Sequence, residues 1–279
     1  MTETVSDVPE LMTAEGGECG RRPAKSTTTA FTGSSDVNAP WTVSIGDTFY
    51  GGYEHNCGGS IIGINIVLTA AHCVSGESFH FDTFVVIAGV FDLKHADRSM
   101  QFKIDKAVAH QRWQKESDLH VYFDAGLIFT KEQFKYSPTI QPVCLPSLGH
   151  EQLPENLVGH SLTVVGWGRT QQGQQDEQEL VQIDVTLRSD EECDTKYSRG
   201  ITRRQRIQIE SELPQLLVPS QFCADNNVKF DVGTCNGDSG NVLIPCFFLN
   251  NFQPGGPGVT RVFRDGENRY TIIGVVSGQ

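Results

Sequence analysis

The chain is divided into short apolar runs separated by turn-forming residues, and this pattern constrains the fold more than any other feature. After residue 40 the runs rich in β-branched and aromatic residues are WTVSI, GSIIGINIVLTA, FVVIAGVF, FKIDKAVAH, DAGLIFT, SLTVVGWG, NVLI and YTIIGVVS. Runs of this length with Gly, Pro, Asn and Asp between them are typical of the strands of a sandwich or barrel. The pattern therefore predicts an all-β fold.

Helix is expected only in short pieces. The best candidate is 188–197, where Ser189 could cap the first turn together with Glu192, three residues later. Residues 1–40 are rich in Thr, Ser, Gly and Glu, and they predict a tail or linker that reaches the domain near Trp41.

Two polar segments, 171–179 and 198–219, are predicted to be surface insertions. The second contains a cluster of arginines at positions 199, 203, 204 and 206. Such a cluster is either a partner or cleavage site or an ordinary solvated loop, and the sequence favours the loop.

Composition limits the number of domains and the class of binding partner. With 279 residues, of which 38% are hydrophobic, the chain has room for one large domain or two packed halves. A net charge of −12 argues against nucleic acid or an anionic membrane as the main partner, because such binding depends on Lys and Arg.

Eight cysteines are scattered without CxxC pairs, which indicates disulfides and an oxidising compartment. We therefore expect a secreted protein, although no signal peptide is visible and no apolar run approaches transmembrane length.

Three short motifs carry residues suited to nucleophilic catalysis. Ser239 lies in CNGDSG, His72 closes an apolar run in TAAHC, and Asp124 opens the run DAGLIFT. A nucleophilic serine needs a base to take its proton and an acid to orient that base. Each motif also has an ordinary structural explanation: a tight turn, a structural histidine and a strand-end carboxylate.

In the chain order His, Asp, Ser, these motifs resemble the trypsin and chymotrypsin family of serine proteases. The resemblance covers roughly residues 28 to 279 and extends to the segments CGGS, IQPVCLP, VVGWG, QFCA and GVVS. It implies two antiparallel six-stranded β-barrels, about 28–145 and 146–279, with the site in the cleft between them. Residues 1–27 would then be a tail tethered through Cys19.

The resemblance also implies a role for each residue of the site. His72 would act as general base and then general acid, and Asp124 would fix its tautomer. Ser239 would be the nucleophile, and the backbone N–H groups of Gly237 and Ser239 would form the oxyanion hole. Asp238 would pair with the amino terminus that activation cleavage releases.

Further family positions concern specificity. Gly233 takes the base of the specificity pocket, where trypsin-like members carry Asp, so a preference for uncharged residues is expected. Ser277 matches the residue that supports the buried aspartate and pairs with the substrate backbone. No metal or organic cofactor is implied.

The cysteines are assigned by the same resemblance. The expected disulfides are Cys57–Cys73, Cys193–Cys223 and Cys19–Cys144, which leaves Cys235 and Cys246 without an assigned partner. A zinc site formed by His55, Cys57, His72 and Cys73 is the competing interpretation, but these ligands match no standard zinc spacing.

Besides Gly233 and the two unassigned cysteines, the sequence departs from the family near both of its ends. The stretch from Lys25 to Gly33 reads KSTTTAFTG, without the usual basic residue followed by Ile or Val, Val, Gly and Gly. The final residues read VVSGQ, with Gly278 in place of the family Trp, whereas family members continue through another strand and a helix. The expectation is a second barrel truncated at its C-terminus, with an exposed edge.

The motif order CGRRPAKSTT, TAAHC and GTCNGDSG is similar to the modular serine proteases that start arthropod immune cascades. The function expected is therefore a secreted serine endopeptidase that cleaves a protein substrate, such as a downstream zymogen, and meets protease inhibitors. The alternative is a catalytically inactive homologue or truncated product that binds partners through the same fold.

Overall fold

A computed structural model describes residues 19–22, 37–48, 51–76, 79–117, 120–146, 157–167, 179–189, 191–192, 223–225, 257–264 and 266–275. The strands in chain order are β1 (Thr42–Asp47), β2 (Glu54–Gly63), β3 (Ile66–Thr69), β4 (Phe84–Ala88), β5 (Gln101–Ala109), β6 (Gln114–Ser117), β7 (His120–Tyr122), β8 (Gly126–Thr130), β9 (Ser161–Gly166), β10 (Val181–Arg188), β11 (Cys223–Asp225), β12 (Pro257–Arg264) and β13 (Glu267–Val275). The helical elements are α1 (His72–Ser75) and two 3₁₀ turns, Leu93–His95 and Arg98–Met100. In this part of the chain no helix is long and apolar enough to cross a bilayer.

The first unit is a closed antiparallel barrel of six strands in the order β1-β2-β3-β8-β5-β4. Its interior is filled by alternate side chains, as a pleated strand requires. Val43 and Ile45 point inward from β1, and Val86 points inward from β4. The all-β prediction and the closed first barrel are confirmed.

The second unit contains a five-stranded antiparallel sheet in the order β11-β10-β9-β12-β13 among the described residues. Its own core consists of Leu157, Leu162, Val164, Val185 and Leu187. A hairpin joins β12 to β13 through Gly266, whose φ of 81° suits a glycine in a tight turn.

A third apolar cluster joins the two units. Trp41 and Ile87 contribute to it from the barrel, and Val165, Val259 and Tyr270 contribute from the second sheet. The other face of β4 fills the barrel, which explains why FVVIA is apolar at every position. His72 and Asp124 therefore stand on a barrel that packs against a second unit.

Several elements differ from the sequence prediction. The run GSIIGINIVLTA is split into β2 and β3 by a turn at Ile64 and Asn65. Strands β10 and β12 were not predicted: β10 alternates apolar and polar residues, and β12 begins with Pro and Gly. The predicted strand NVLI lies outside the described residues.

The predicted helix start near Ser189 is partly described. Its hydroxyl accepts a hydrogen bond from the backbone N–H of Glu192 at 3.2 Å, and the carboxylate of Glu192 accepts one from the N–H of Ser189 at 3.2 Å. These reciprocal bonds form a capping box. The predicted insertion 198–219 lies outside the described residues, as does 171–178.

Candidate active site

His72 is the first residue of α1, just after the chain leaves β3. The turn is closed by the N–H of Cys73, which donates to the carbonyl of Ala70 at 3.2 Å. A disulfide joins Cys73 to Cys57 on β2. The short helix is therefore fixed to the barrel at the residue that follows the histidine.

Asp124 lies between β7 and β8, at a sharp turn of the backbone. Phe123 has a φ of 52°, which is uncommon for a residue other than glycine. The N–H of Ala125 donates to the carbonyl of Phe123 at 2.7 Å, and the N–H of His110 donates to Ala125 at 2.8 Å. This conformation directs the Asp124 carboxylate towards His72.

The two side chains form a short, doubly anchored contact. Nδ1 of His72 lies 2.7 Å from Oδ2 of Asp124, and the backbone N–H of His72 donates to Oδ1 at 2.9 Å. Their side chains are 14% and 5% exposed. Because one carboxylate binds both the ring and the backbone of His72, it fixes the position and the orientation of the imidazole.

The carboxylate also determines which ring nitrogen carries the hydrogen. An acceptor at Nδ1 places the proton there and leaves a lone pair on Nε2. Nε2 of His72 is buried and has no hydrogen-bond partner among the residues described. This arrangement can take a proton from a hydroxyl presented to Nε2 and can stabilise the resulting imidazolium.

Two residues that the sequence analysis missed support Asp124 through its neighbour. The ring of His110 stacks on Phe123 with centroids 5.0 Å apart, and the guanidinium of Arg112 lies 4.1 Å from the Phe123 ring. Neither residue is part of a recognisable motif, so the sequence showed only that they lie near each other in the chain. They hold the turn that presents the carboxylate.

Comparison with known proteins decides the family. The family model described as Trypsin matches residues 29–245, which is most of the chain. The chain belongs to the trypsin family. The match includes His72 and Asp124 as well as the segment that carries Ser239.

Individual relatives are similar over much of the chain. The serine proteinase stubble of Drosophila melanogaster is 27% identical over 209 residues, covering 73% of this chain and 24% of that protein. The clotting factor G beta subunit of Tachypleus tridentatus is 28% identical over 232 residues, covering 81% of this chain and 68% of that protein. Melanization protease 1 of Drosophila melanogaster is 28% identical over 254 residues, covering 85% of this chain and 55% of that protein. The chain thus spans only part of these relatives.

The remaining positions of the trypsin-family site lie outside the described residues. They are Gly233, Gly237, Asp238, Ser239 and Ser277, together with Cys193, Cys235 and Cys246. Cys223 begins β11.

Two of the expected disulfides are present. Cys57–Cys73 closes a sequence separation of 16 residues beside His72. Cys19–Cys144 closes a separation of 125 residues and ties the N-terminal segment to the body of the protein. The Cys57–Cys73 bridge therefore fixes a single turn, and the Cys19–Cys144 bridge fixes a distant segment of the chain.

The zinc interpretation conflicts with this bonding. Donor atoms of Cys57, His72 and Cys73 lie within 4.8 Å of one another. However, zinc binds cysteine as thiolate, and these two sulfurs are bonded to each other. His55, the fourth expected ligand, has Nδ1 at 2.6 Å from Oγ of Ser44 instead. The cluster does not fit a zinc ion.

Proposed function

We propose that the chain is a serine endopeptidase that cleaves peptide bonds through an acyl-enzyme on Ser239. The observation that carries the proposal is the His72–Asp124 contact at 2.7 Å, with Nε2 of the histidine left to receive a proton. The trypsin-family match over residues 29–245 includes the GDSG segment and supports Ser239 as the nucleophile.

The reaction uses His72 twice. Ser239 Oγ would bond to the substrate carbonyl carbon while its proton passes to Nε2 of His72. The imidazolium, stabilised by Asp124, would then donate that proton to the departing amine as the C–N bond breaks. Water would release the acyl group by the same route, with His72 as base and then acid.

The remaining site residues are assigned by position in the family. The N–H groups of Gly237 and Ser239 would bind the oxyanion, and Asp238 would stabilise that loop by pairing with a released amino terminus. Gly233 would leave the specificity pocket without a counter-charge, which favours an uncharged substrate residue. Ser277 would support Asp124 and the substrate backbone.

The setting we propose is extracellular, in an immune-type proteolytic cascade. Two disulfides indicate an oxidising compartment. Two of the relatives are named for clotting and melanization. A protein substrate such as a downstream zymogen, and inhibitors of serine proteases, would be the partners. A net charge of −12 disfavours nucleic acid and anionic membranes.

The test is covalent labelling of Ser239 by a fluorophosphonate, detected by mass spectrometry before and after limited proteolysis near Lys25. Labelling after cleavage is expected, and Ser239→Ala should abolish it. Ser99→Ala, an exposed serine of the first unit, is the matched control and should label normally.

The second candidate function is a non-catalytic homologue that binds partners through the same fold. It is favoured by one observation: KSTTTAFTG lacks the usual activation sequence. If protein with a native near-ultraviolet circular dichroism spectrum is not labelled in either state, the second candidate replaces the first.

A further inference from the structure

A polar cavity of about 300 Å³ lies on the second sheet, where the N-terminal segment crosses it. Its walls include two arginines, Arg22 and Arg261, the ring of Tyr270 and the hydroxyls of Ser161 and Thr163. His72 and Asp124 belong to the first barrel, so the cavity belongs to a different part of the molecule.

The N-terminal segment is fixed rigidly at this place. Gly20 accepts a hydrogen bond from the N–H of Tyr270 at 3.0 Å and donates to the carbonyl of Pro142 at 2.8 Å. Nη1 of Arg269 donates to the carbonyl of Cys19 at 3.1 Å, and Cys19 is bonded to Cys144. Arg22 is therefore held beside β13 by its own backbone.

Arg22 has hydrogen-bond donors that nothing described satisfies. Its guanidinium lies 4.1 Å from the ring centroid of Tyr270 and 5.5 Å from that of Trp41. Nε and Nη2 are buried without a partner among the described residues. A buried donor without a partner has lost its hydrogen bonds to water, so an acceptor brought to this place would be bound favourably. Burial also lowers the pKa of Arg22.

Arg261 brings a second positive charge to the same cavity. Its Nε donates to the hydroxyl of Tyr270 at 2.9 Å. The terminal nitrogens of a guanidinium form the fork that binds carboxylates in two parallel hydrogen bonds. The guanidinium lies 5.2 Å from the Tyr270 ring, so Arg22 and Arg261 share one aromatic side chain.

The acids of this region do not balance its arginines. Asp184 lines the cavity and its Oδ1 accepts a hydrogen bond from Thr163 at 2.8 Å. Glu267 pairs with Arg269 at 2.9 Å and with Arg21 at 3.7 Å. Around Tyr270 the described residues thus place four guanidiniums against two carboxylates, in a chain whose net charge is −12. A local excess of positive charge attracts an anion.

We propose that this cavity is a binding site for a peptide carboxylate, held between Arg22 and Arg261 with the hydroxyl of Ser161 as a further donor. Such a carboxylate has two sources. One is the stretch before Cys19, which contains Glu3, Asp7, Glu10, Glu15 and Glu18 and no Lys or Arg. The other is an acidic segment of a separate protein. The site does not depend on the protease reaction, so this proposal and the proposed protease activity can be tested separately.

The test measures the binding of a fluorescent tetraglutamate peptide to the full-length chain by anisotropy, with tetraglutamine as the uncharged probe. Arg261→Gln should weaken tetraglutamate binding about tenfold or more, because it removes a charged hydrogen-bond donor. Arg261 is exposed, so folding is expected to survive the change. Arg98→Gln, an exposed arginine of the first unit, removes the same charge elsewhere and should leave binding unchanged.

A second full-length variant identifies the source of the carboxylate by changing the five acids before Cys19 to amides. If this variant binds tetraglutamate more tightly than the unmodified chain, the chain's own acidic stretch fills the site. Equal binding by the two proteins, lost on Arg261→Gln, indicates an acidic segment from a partner. The proposal is overturned if neither protein binds the peptide, if tetraglutamine binds equally, or if Arg261→Gln and Arg98→Gln have the same effect.

Discussion

The first barrel and the second sheet are built from the chain in different ways. All six strands of the barrel come from residues 42–130, and the barrel closes on itself. In the second unit, β13 also bonds to two distant segments: its Tyr270 contacts Gly20, and its Ile272 N–H donates to Cys144 at 2.9 Å. The His72–Asp124 pair thus belongs to the locally assembled unit, whereas the second unit depends on contacts with distant segments of the chain.

The largest effect is expected at the site of the first barrel. Asp124→Asn should reduce the rate of peptide hydrolysis or of Ser239 labelling by about 10⁴-fold, because an amide in place of the carboxylate allows the wrong histidine tautomer. Asp105→Asn, an exposed aspartate on β5, is the charge-matched control and should leave the rate unchanged. Retention of the rate in Asp124→Asn would remove the histidine–aspartate pair from the mechanism.

The disulfides test the difference between local and long-range closure. Replacing both Cys19 and Cys144 with serine should lower the free energy of unfolding by up to about 5 kcal/mol, from the loop-entropy estimate for a separation of 125 residues. The corresponding change at Cys57 and Cys73 should cost up to about 3 kcal/mol, since that separation is 16 residues.

Urea unfolding and the Ser239 labelling rate should be measured on the same samples. We expect the loss of Cys57–Cys73 to slow labelling strongly, because Cys73 follows His72, and the loss of Cys19–Cys144 to affect stability more than labelling. If the loss of Cys19–Cys144 slowed labelling more than the loss of Cys57–Cys73, the site would not depend mainly on the first unit.

Substitutions at two glycines should separate the effect on stability from the effect on hydrolysis, with a smaller chemical change than the loss of a disulfide. A Cβ at Gly20, whose φ is 67°, would lie 2.4 Å from the carbonyl oxygen of Tyr270, so Gly20→Ala should destabilise the protein by about 1–3 kcal/mol. A Cβ at Gly126 would lie 2.9 Å from Cγ2 of Val74 on α1. Gly126→Ala should therefore displace the helix that carries His72 and slow hydrolysis by up to about 100-fold.

These variants are matched in chemistry, so each serves as the control for the other. Gly20→Ala should lower the temperature of thermal unfolding more than it lowers the hydrolysis rate. Gly126→Ala should lower the hydrolysis rate more than the temperature of thermal unfolding. A parallel loss of both properties in both variants would mean that the site and the closure of the second unit are not separable.

The smallest effect is expected at the junction of the two units, where Tyr53 packs against the joining cluster and contacts the hydroxyl of Ser44. Burial raises the pKa of Tyr53 above its ordinary value of about 10. A raised pKa favours the protonated folded state, so this stabilisation is complete below about pH 10 and is lost as pH rises further. Between pH 8 and 11 the unfolding free energy should fall more steeply in the unmodified protein than in Tyr53→Phe; equal slopes would contradict this.

The apolar pattern predicted the barrel better than the second sheet for a physical reason. Strand β4 is buried on both of its faces, so it reads as one continuous apolar run, FVVIA. Strand β10 has one polar face, with Gln182 and Asp184 facing the cavity, so its sequence contains no continuous apolar run. Its period-two alternation was the signal that could have identified it.

The sequence predicted which residues form the candidate site, but it predicted only part of their arrangement in space. The motif order led to His72 and Asp124 by resemblance, and the structure brings them within hydrogen-bond distance. The support from Phe123 and His110 was not predictable, because stacking between these rings depends on the fold of two loops rather than on a sequence pattern.

The sequence by itself determined the all-β class and the trypsin-family motifs, because strand periodicity and local motifs are written in consecutive residues. Only the tertiary structure decided that Asp124 holds both the ring and the backbone of His72, and that Arg22 and Arg261 meet at one tyrosine. Arg22 and Arg261 lie far apart in the chain, and their meeting depends on how the N-terminal segment packs against the second sheet, which no local pattern encodes.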